Sequence, residues 1–88
     1  MPERTVVVAS EVGLHARPAA LFVQAAAAQP VDVTIGKPDG EPVDARSILS
    51  VIGLDAKGGE PVVLRAEGEG AEAALDALEA VLATDHDA

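Results

Sequence analysis

Hydrophobic and polar side chains alternate along short segments of the chain, which is the period of a β-strand buried on one face and solvated on the other. Residues 31–35 read Val-Asp-Val-Thr-Ile and show this alternation most clearly. Residues 5–9 form a β-branched run that is closed by turn-forming residues at 10–13. The pattern predicts strands of an antiparallel sheet with one exposed face.

Two further strands follow from the same reasoning. Residues 61–66 predict a strand in which Val62 and Leu64 point inward. Residues 41–44 predict a weaker return strand after a turn rich in glycine and proline. Because Pro42 has no N–H to donate to a central ladder, we expect this strand at the edge of the sheet.

Apolar residues spaced three and four apart mark two longer helices. The first runs from Ala16 to the break at Gln29 and Pro30, and its apolar stripe consists of Pro18, Leu21, Phe22 and Ala25. The second follows Gly70, and its stripe consists of Ala74, Leu75, Leu78, Val81 and Leu82. Three acidic residues of the second helix fall outside its stripe, namely Glu72, Asp76 and Glu79.

A short helix is expected between these two. Ser47 is placed to cap it, and it should end near Gly53. It carries four large aliphatic residues within five positions, namely Ile48, Leu49, Val51 and Ile52. Four such residues exceed one helical stripe, so we expect some of them to remain exposed.

The element order is therefore β-α-β-β-α-β-α. Strands that alternate in this way need cover on one face only, which predicts an α+β fold, an open-faced β-sandwich with a four-stranded antiparallel sheet and three helices on one face. With 88 residues the chain has room for one core, so we expect residues 1–88 to form a single domain.

Charge and composition narrow the classes of function. Six basic against fifteen acidic residues give a net charge of −9, and Phe22 is the single aromatic residue, which argues against a nucleic-acid ligand. Cysteine is absent, which excludes disulfides, thiolate metal clusters and a cysteine nucleophile. With no leader-like start and no run of about 18 apolar residues, we expect a soluble, cytoplasmic protein.

Reactive side chains gather in residues 13–18, which read Gly-Leu-His-Ala-Arg-Pro where a loop meets the first helix. A helix start offers unpaired backbone N–H groups and a partial positive charge, and both favour a bound phosphate. His15 can act there as a nucleophile through an unprotonated ring nitrogen. Arg17 can pair with phosphoryl oxygens. From the residues alone this is a candidate anion site, and a surface loop or a helix-capping histidine fits the same pattern.

Residues 13–20 read Gly-Leu-His-Ala-Arg-Pro-Ala-Ala. Together with the length and the element order, they resemble the HPr family, the histidine-containing phosphocarrier proteins of the bacterial phosphoenolpyruvate:sugar phosphotransferase system. The segments at 45–47, 57–59 and 66–68 support the resemblance, which spans the whole chain.

The resemblance implies a function for the segment around His15. This residue would accept a phosphoryl group from Enzyme I through its Nδ1 nitrogen and donate it to a histidine of an Enzyme IIA domain, for sugar uptake. Ala16 and Arg17 would bind the phosphate. The resemblance thus implies a monomeric covalent carrier that is not a free-standing enzyme and that needs no cofactor.

The resemblance also implies a docking face around His15, shared by both partners and made of Ala20, Gln24, Ile48, Leu49 and Ile52. Core packing is the alternative for each of these side chains. Ser47 resembles a serine that a regulatory kinase modifies in some family members, and a phosphate there would weaken partner binding. A plain helix cap is the alternative for Ser47.

Two departures from the family pattern stand out. Lysines that many relatives carry on the outer face of the first helix are replaced here by Gln24, Ala27 and Ala28. Docking would then rest more on apolar contacts and on Arg17. The Gly-Leu that is common after the second helix is replaced by Asp55-Ala56. We expect this second change to alter a turn without touching the loop that carries His15, which we call the active loop.

Other functions stay open from the sequence. A regulatory paralogue would be phosphorylated on His15 but would serve a non-sugar acceptor, whereas a small anion-binding domain would never be modified there. An autonomous hydrolase is disfavoured, because the sequence places no second nucleophile, metal cluster or carboxylate pair beside His15. His86 stands between Asp85 and Asp87, but one imidazole near a chain end is a poor metal site, so no metal is expected.

Overall fold

The computed structural model describes residues 2–84. Within this range the chain forms four strands and three helices in the predicted order. They are β1 (Glu3–Val7), α1 (Ala16–Ala27), β2 (Val33–Gly36), β3 (Val43–Asp44), α2 (Ile48–Gly53), β4 (Pro61–Ala66) and α3 (Ala71–Ala83).

The four strands form one sheet in the order β1-β4-β2-β3, and every neighbouring pair is antiparallel. The central strand β4 pairs with β1 through Thr5 opposite Val63 and with β2 through Thr34 opposite Arg65. The short strand β3 lies at the edge, as expected from Pro42. The helices leave the other side of the sheet open, so the predicted α+β open-faced sandwich is confirmed.

Strand boundaries differ from the predicted ones by a few residues. Strand β1 ends at Val7, because the backbone of Val8 bonds to the turn at Gly59 and Glu60 while the N–H of Ala9 bonds to Leu82 in α3. Strand β3 contains two residues and follows Pro42. These segments leave the regular ladder where the chain turns toward other elements.

The core lies between the sheet and the helices. Val62 and Leu64 are fully buried, which confirms their predicted inward orientation. They belong to one cluster with the alternate residues of the neighbouring strands and the apolar faces of the helices, including Val6, Val33, Ile35, Phe22, Leu75 and Leu78. Aliphatic and alanine side chains thus supply nearly all of this core.

Helix α1 presents a slightly different stripe from the predicted one. Pro18 and Phe22 are buried as expected, and they are joined by Ala19 and Ala26. Leu21 and Ala25, which the sequence placed in the stripe, are only partly buried. In α3 the predicted residues Ala74, Leu75, Leu78 and Leu82 are buried, and Val81 is partly buried against the core. The predicted helical period is confirmed. The buried face of α1 is rotated by about one residue position from the predicted stripe.

Arg4 connects the first strand to the last helix. Its guanidinium donates hydrogen bonds to the carboxylates of Glu72, Asp76 and Glu79. These acidic residues lie outside the apolar stripe of α3, as predicted, and four-residue and three-residue spacings place them on one side of the helix. The bond to Asp76, followed by that to Glu79, raises the pKa of Arg4. We call Arg4, Glu72, Asp76 and Glu79 the Arg4 cluster. It links β1 to α3.

Candidate functional site

The loop between β1 and α1 packs directly on the turn before β4. The N–H of Leu14 donates to the carbonyl oxygen of Ala56 at 2.8 Å, and the Leu14 side chain is buried. Gly13 has a φ of 80°, and a Cβ there would overlap the Ala56 carbonyl oxygen. A Cβ on Gly58 would likewise overlap the carbonyl oxygen of Ser10. The two segments are thus in backbone contact, and glycine is required for that contact.

His15 is the N-cap residue of α1. Its backbone is extended, with φ −132° and ψ 168°, and its carbonyl oxygen accepts a bond from the N–H of Ala19 at 3.3 Å. Its side chain is 35% exposed, so the imidazole is partly packed and still reachable from solvent. The helix start therefore holds the imidazole at the surface, where a partner's group can approach it.

Two residues complete the start of α1. Ala16 has a φ of 49°, a region that L-residues enter at a cost of roughly 1–2 kcal/mol. This conformation joins the extended backbone of His15 to the first helical turn. Arg17 is exposed, and the first turn contains no acidic residue. A cation there adds to the positive end of the helix dipole, so the helix start is suited to a dianion.

A carboxylate contacts the histidine from the opposing turn. The Oδ1 atom of Asp55 lies 3.1 Å from Nε2 of His15, and its Oδ2 atom lies 3.0 Å from Nζ of Lys57. The Lys57 ammonium, and after it the His15 ring, lowers the pKa of the Asp55 carboxyl, so that group is ionised at neutral pH. Asp55 has a φ of 52°, which aspartate tolerates better than most residues.

This contact corrects one expectation. The Asp55-Ala56 pair was expected to change a turn without touching the active loop, and the structure shows that both residues contact it. Asp55 binds the His15 ring through its side chain, and Ala56 binds Leu14 through its carbonyl. Forty residues separate His15 from Asp55, so no local sequence motif reveals the contact.

Three large aliphatic side chains of α2 are exposed, as the residue pattern predicted. Leu49 is 81% exposed, Ile48 37% and Ile52 36%, whereas Val51 is buried in the core. We call Ile48, Leu49 and Ile52 the apolar patch. Core packing is therefore the wrong interpretation for these three residues.

The remaining docking candidates lie on α1, which packs against α2. Gln24 is exposed and Ala20 is partly buried. The sequence prediction did not include Val12, which is 54% exposed in the loop three residues before His15. A valine within the turn-forming segment at residues 10–13, close to His15, was the signal that could have identified it.

Ser47 caps α2 as predicted. Its hydroxyl oxygen accepts a hydrogen bond from the N–H of Ser50 at 3.4 Å, and its carbonyl oxygen accepts one from the N–H of Val51 at 2.9 Å. The side chain is partly buried at the start of the helix that carries the apolar patch. This role accounts for the residue type without any modification.

Between residues 2 and 84, no group of three or more His, Asp or Glu side chains is arranged to hold a metal ion. His86 and its acidic neighbours lie outside the described residues. None of the helices in this same range is long and apolar enough to cross a bilayer.

Comparisons with known proteins show which proteins the chain is similar to. The PTS-HPr family model, described as the PTS HPr component phosphorylation site, matches residues 2–84. The chain is 57% identical over 83 residues to phosphocarrier protein HPr of Streptomyces coelicolor. This match covers 94% of this chain and 89% of that protein. It is 44% identical to the HPr-like protein Crh of Bacillus subtilis, over 91% of this chain and 93% of Crh. The crystal structure of HPr from Bacillus anthracis superposes with a TM-score of 0.86 at 42% identity, covering 92% of this chain and 95% of that one.

Proposed function

The chain belongs to the HPr family of phosphocarrier proteins, which implies phosphotransfer within the phosphotransferase system. From that premise we propose that His15 is the residue that carries the phosphoryl group. Phosphorylated Enzyme I is the donor, and a histidine of an Enzyme IIA domain is the acceptor during sugar uptake. The chain acts as a single cytoplasmic domain and, as a carrier, has no turnover of its own.

One observation carries the proposal, namely the position of the His15 ring. The ring stands at the start of α1, part of it is exposed, and Nε2 is occupied by the contact with Asp55. Nδ1 is the ring nitrogen at which a phosphoryl group then attaches. Transfer between two histidines requires alignment and charge compensation more than acid–base catalysis.

The start of α1 supplies that compensation. The backbone N–H groups at Ala16 and Arg17 belong to the first helical turn, where such groups have no intrahelical acceptor. The exposed Arg17 guanidinium adds a permanent cation that can bind phosphoryl oxygens in pairs. In a chain of net charge −9, this local positive charge lowers the repulsion that a phosphoryl dianion would meet.

Both partners dock on the same surface in this proposal. The apolar patch on α2, together with Ala20 and Gln24 on α1, provides a contact area beside the helix that carries His15. Exposed aliphatic side chains that are grouped on one short helix are typical of a surface that a partner covers. Arg17 and the patch would then act together, one on the phosphoryl group and the other on the partner.

Ser47 offers a second point of control. We propose that a serine kinase, where one is present, modifies this residue. The phosphate would lie at the N-terminus of α2, which favours negative charge, and next to the aliphatic side chain of Ile48. Partner binding would weaken because the new charge would have to be desolvated against an apolar surface.

A regulatory role is the second candidate function. It is motivated by the 44% identity to the HPr-like protein Crh of Bacillus subtilis, which is described as the catabolite repression HPr of that organism. In this alternative His15 is still phosphorylated, but the acceptor does not serve sugar uptake. Pull-down with the phosphorylated chain separates the two functions. Recovery of an Enzyme IIA domain supports sugar uptake. Recovery of a different acceptor, with no Enzyme IIA domain, supports the regulatory role.

Intact-mass spectrometry tests the carrier function. The chain is incubated with phosphoenolpyruvate, Mg²⁺ and an Enzyme I that is shown to phosphorylate itself. We expect the mass of one acid-labile phosphoryl group, and we expect none on His15→Ala, whose fold should be intact because the ring is partly exposed. An unmodified wild-type chain would favour a non-covalent anion site, and a phosphoryl group retained by His15→Ala would assign the carrier to another residue.

A further inference from the structure

Asp55 faces His15 with a group that can only accept a hydrogen bond. An ionised carboxylate has no proton to donate, so the 3.1 Å contact between its Oδ1 atom and Nε2 requires the ring proton on Nε2. In the neutral ring, Nδ1 then carries the lone pair. We propose that Asp55 is a positioning residue that sets the tautomer and orientation of His15 and compensates the charge of its ring during transfer. This inference rests on the proposed carrier function.

The contact is held in place from both sides. On the side of the turn, Lys57 donates to the other carboxylate oxygen at 3.0 Å, so each oxygen of the carboxylate has a partner. On the side of the loop, the bond from Leu14 to Ala56 and the close approach of Gly58 to Ser10 join the two backbones next to the contact. The position of Asp55 relative to His15 therefore follows from the packing of two segments, and a surface ion pair between two free side chains would lack this support.

The chemistry of transfer gives the carboxylate a task. In the forward step, the bond between phosphorus and the donor's histidine nitrogen breaks while a bond from phosphorus to Nδ1 of His15 forms. Nε2 keeps its proton throughout, so the His15 ring becomes positively charged as the new bond forms. The Asp55 carboxylate faces that proton and compensates the charge. When the phosphoryl group leaves for the acceptor, the ring returns to its neutral form with the proton still on Nε2.

Lys57 limits the repulsion that this arrangement would otherwise create. A carboxylate near a phosphoryl dianion is unfavourable, and the Lys57 ammonium, 3.0 Å from Oδ2 of Asp55, reduces that repulsion. Arg17 and the helix start then act on the phosphoryl oxygens, while Asp55 acts on the ring. The phosphoryl end of phosphohistidine thus faces positive charge, and the ring end faces negative charge.

Three variants at position 55 and a control test this role. Asp55→Gly removes the side chain and suits the φ of 52°. Asp55→Asn removes the charge and leaves one oxygen acceptor, which the Lys57 ammonium attracts, so that the amide NH2 group faces Nε2. Asparagine also tolerates this backbone region. Asp55→Ala provides a check on the backbone. Asp39→Asn removes one exposed carboxylate from the β2–β3 turn and is the control for net charge.

Two measurements are needed for each variant. Nitrogen-15 chemical shifts of the His15 ring report which nitrogen carries the proton, and they do not require Enzyme I. We expect the Nε2–H form to dominate in the wild type and in Asp39→Asn, and the Nδ1–H form to gain population in all three variants at position 55. The rate of transfer from phosphorylated Enzyme I should fall about fivefold in both Asp55→Gly and Asp55→Asn, which is the scale that an exposed charge pair supports.

The outcomes separate this inference from the proposed function. Wild-type ring shifts and a wild-type transfer rate in Asp55→Gly would overturn the role of Asp55 while leaving His15 as the carrier. A changed tautomer with an unchanged rate would overturn the part of the inference that concerns transfer. An equal loss of rate in Asp39→Asn would assign the effect to net charge and overturn the inference as well. A wild-type chain that takes no phosphoryl group would overturn the carrier function, and the ring shifts would still show whether Asp55 sets the tautomer.

Discussion

Gly13 and Gly59 both have positive φ, at 80° and 88°, but their surroundings differ. A Cβ on Gly13 would overlap the Ala56 carbonyl oxygen, whereas a Cβ on Gly59 would meet no atom within 4 Å. At the scale of single residues, the active loop therefore depends on a close backbone contact as well as on the freedom of glycine to adopt positive φ. The two residues form a matched pair that separates these requirements.

Gly13→Ala should be more destabilising than Gly59→Ala. Both variants carry the cost of positive φ, roughly 1–2 kcal/mol, and Gly13→Ala adds an overlap that only a shift of the loop relieves, worth about 1–3 kcal/mol more. Chemical denaturation of both variants measures the difference. Equal losses in the free energy of unfolding would show that the approach to Ala56 does not constrain the loop. Gly13→Ala should also slow transfer, because the loop carries His15.

The residues around His15 differ in how far a sequence reveals them. His15 and Arg17 are two residues apart beside a helix start, so one short motif predicts both as site candidates. Asp55 reaches the ring from a turn 40 residues further along the chain. Its contact depends on how the loop packs on that turn, and neither segment records the position of the other. The motif therefore predicts a candidate carrier residue and omits the residue that orients it.

The short helix α2, six residues long, has one side chain in the core and others exposed to solvent. Ser47 caps its start, Val51 enters the core, and Leu49 points to solvent. At the scale of elements, the sequence predicted this division, because four aliphatic residues cannot all face one side of a helix. It did not predict the rotation of α1, where alanines at neighbouring positions make the two candidate faces nearly equal in hydrophobicity and tertiary packing chooses between them.

Substitutions in α2 should separate docking from stability. Leu49→Ser should leave the free energy of unfolding within about 0.5 kcal/mol, since the side chain is 81% exposed, and should weaken binding to Enzyme I. Val51→Ala should cost about 1–3 kcal/mol because it opens a cavity in the core. Transfer kinetics at several concentrations of the chain, together with thermal unfolding, measure both effects. Wild-type transfer by Leu49→Ser would remove the apolar patch from the docking surface.

The whole molecule is held by contacts between distant segments. The central strand β4 joins β1 and β2, and the Arg4 cluster joins β1 to α3. The alternation of the strands predicted the sheet and its open face. Strand boundaries could not be predicted as closely, because ladder bonds end where the backbones of Val8 and Ala9 turn to other partners. Charge patterning placed the acidic residues of α3 outside the core, and their common partner Arg4 emerges only from the fold.

Stability should fall at low pH through at least two carboxylates. The backbone N–H and the guanidinium of Arg46 lower the pKa of Asp44, and Lys57 lowers that of Asp55, in both cases below the ordinary value of 3.8. A lowered pKa in the folded state stabilises the fold above the ordinary value, and this contribution is lost as the pH falls through the folded-state value. Thermal unfolding between pH 7 and about pH 2 should show this loss.

Asp44→Asn isolates one of these contributions. The loss of melting temperature below pH 4 should be smaller in this variant than in the wild type, and the control Asp39→Asn should follow the wild type more closely. A melting temperature in Asp44→Asn that depends on pH as steeply as that of the wild type would show that the Arg46 contact does not contribute.

The Arg4 cluster has a consequence for the order in which the chain can fold during synthesis. Strand β1 is synthesised before its partners β4 and α3. For most of translation, therefore, Val6 and Val8 have neither the neighbouring strand nor the helix that buries them. Pairing two strands that are far apart in the sequence costs loop-closure entropy and is slow. We conclude that the β1 edge of the sheet can form only after β4 has been made.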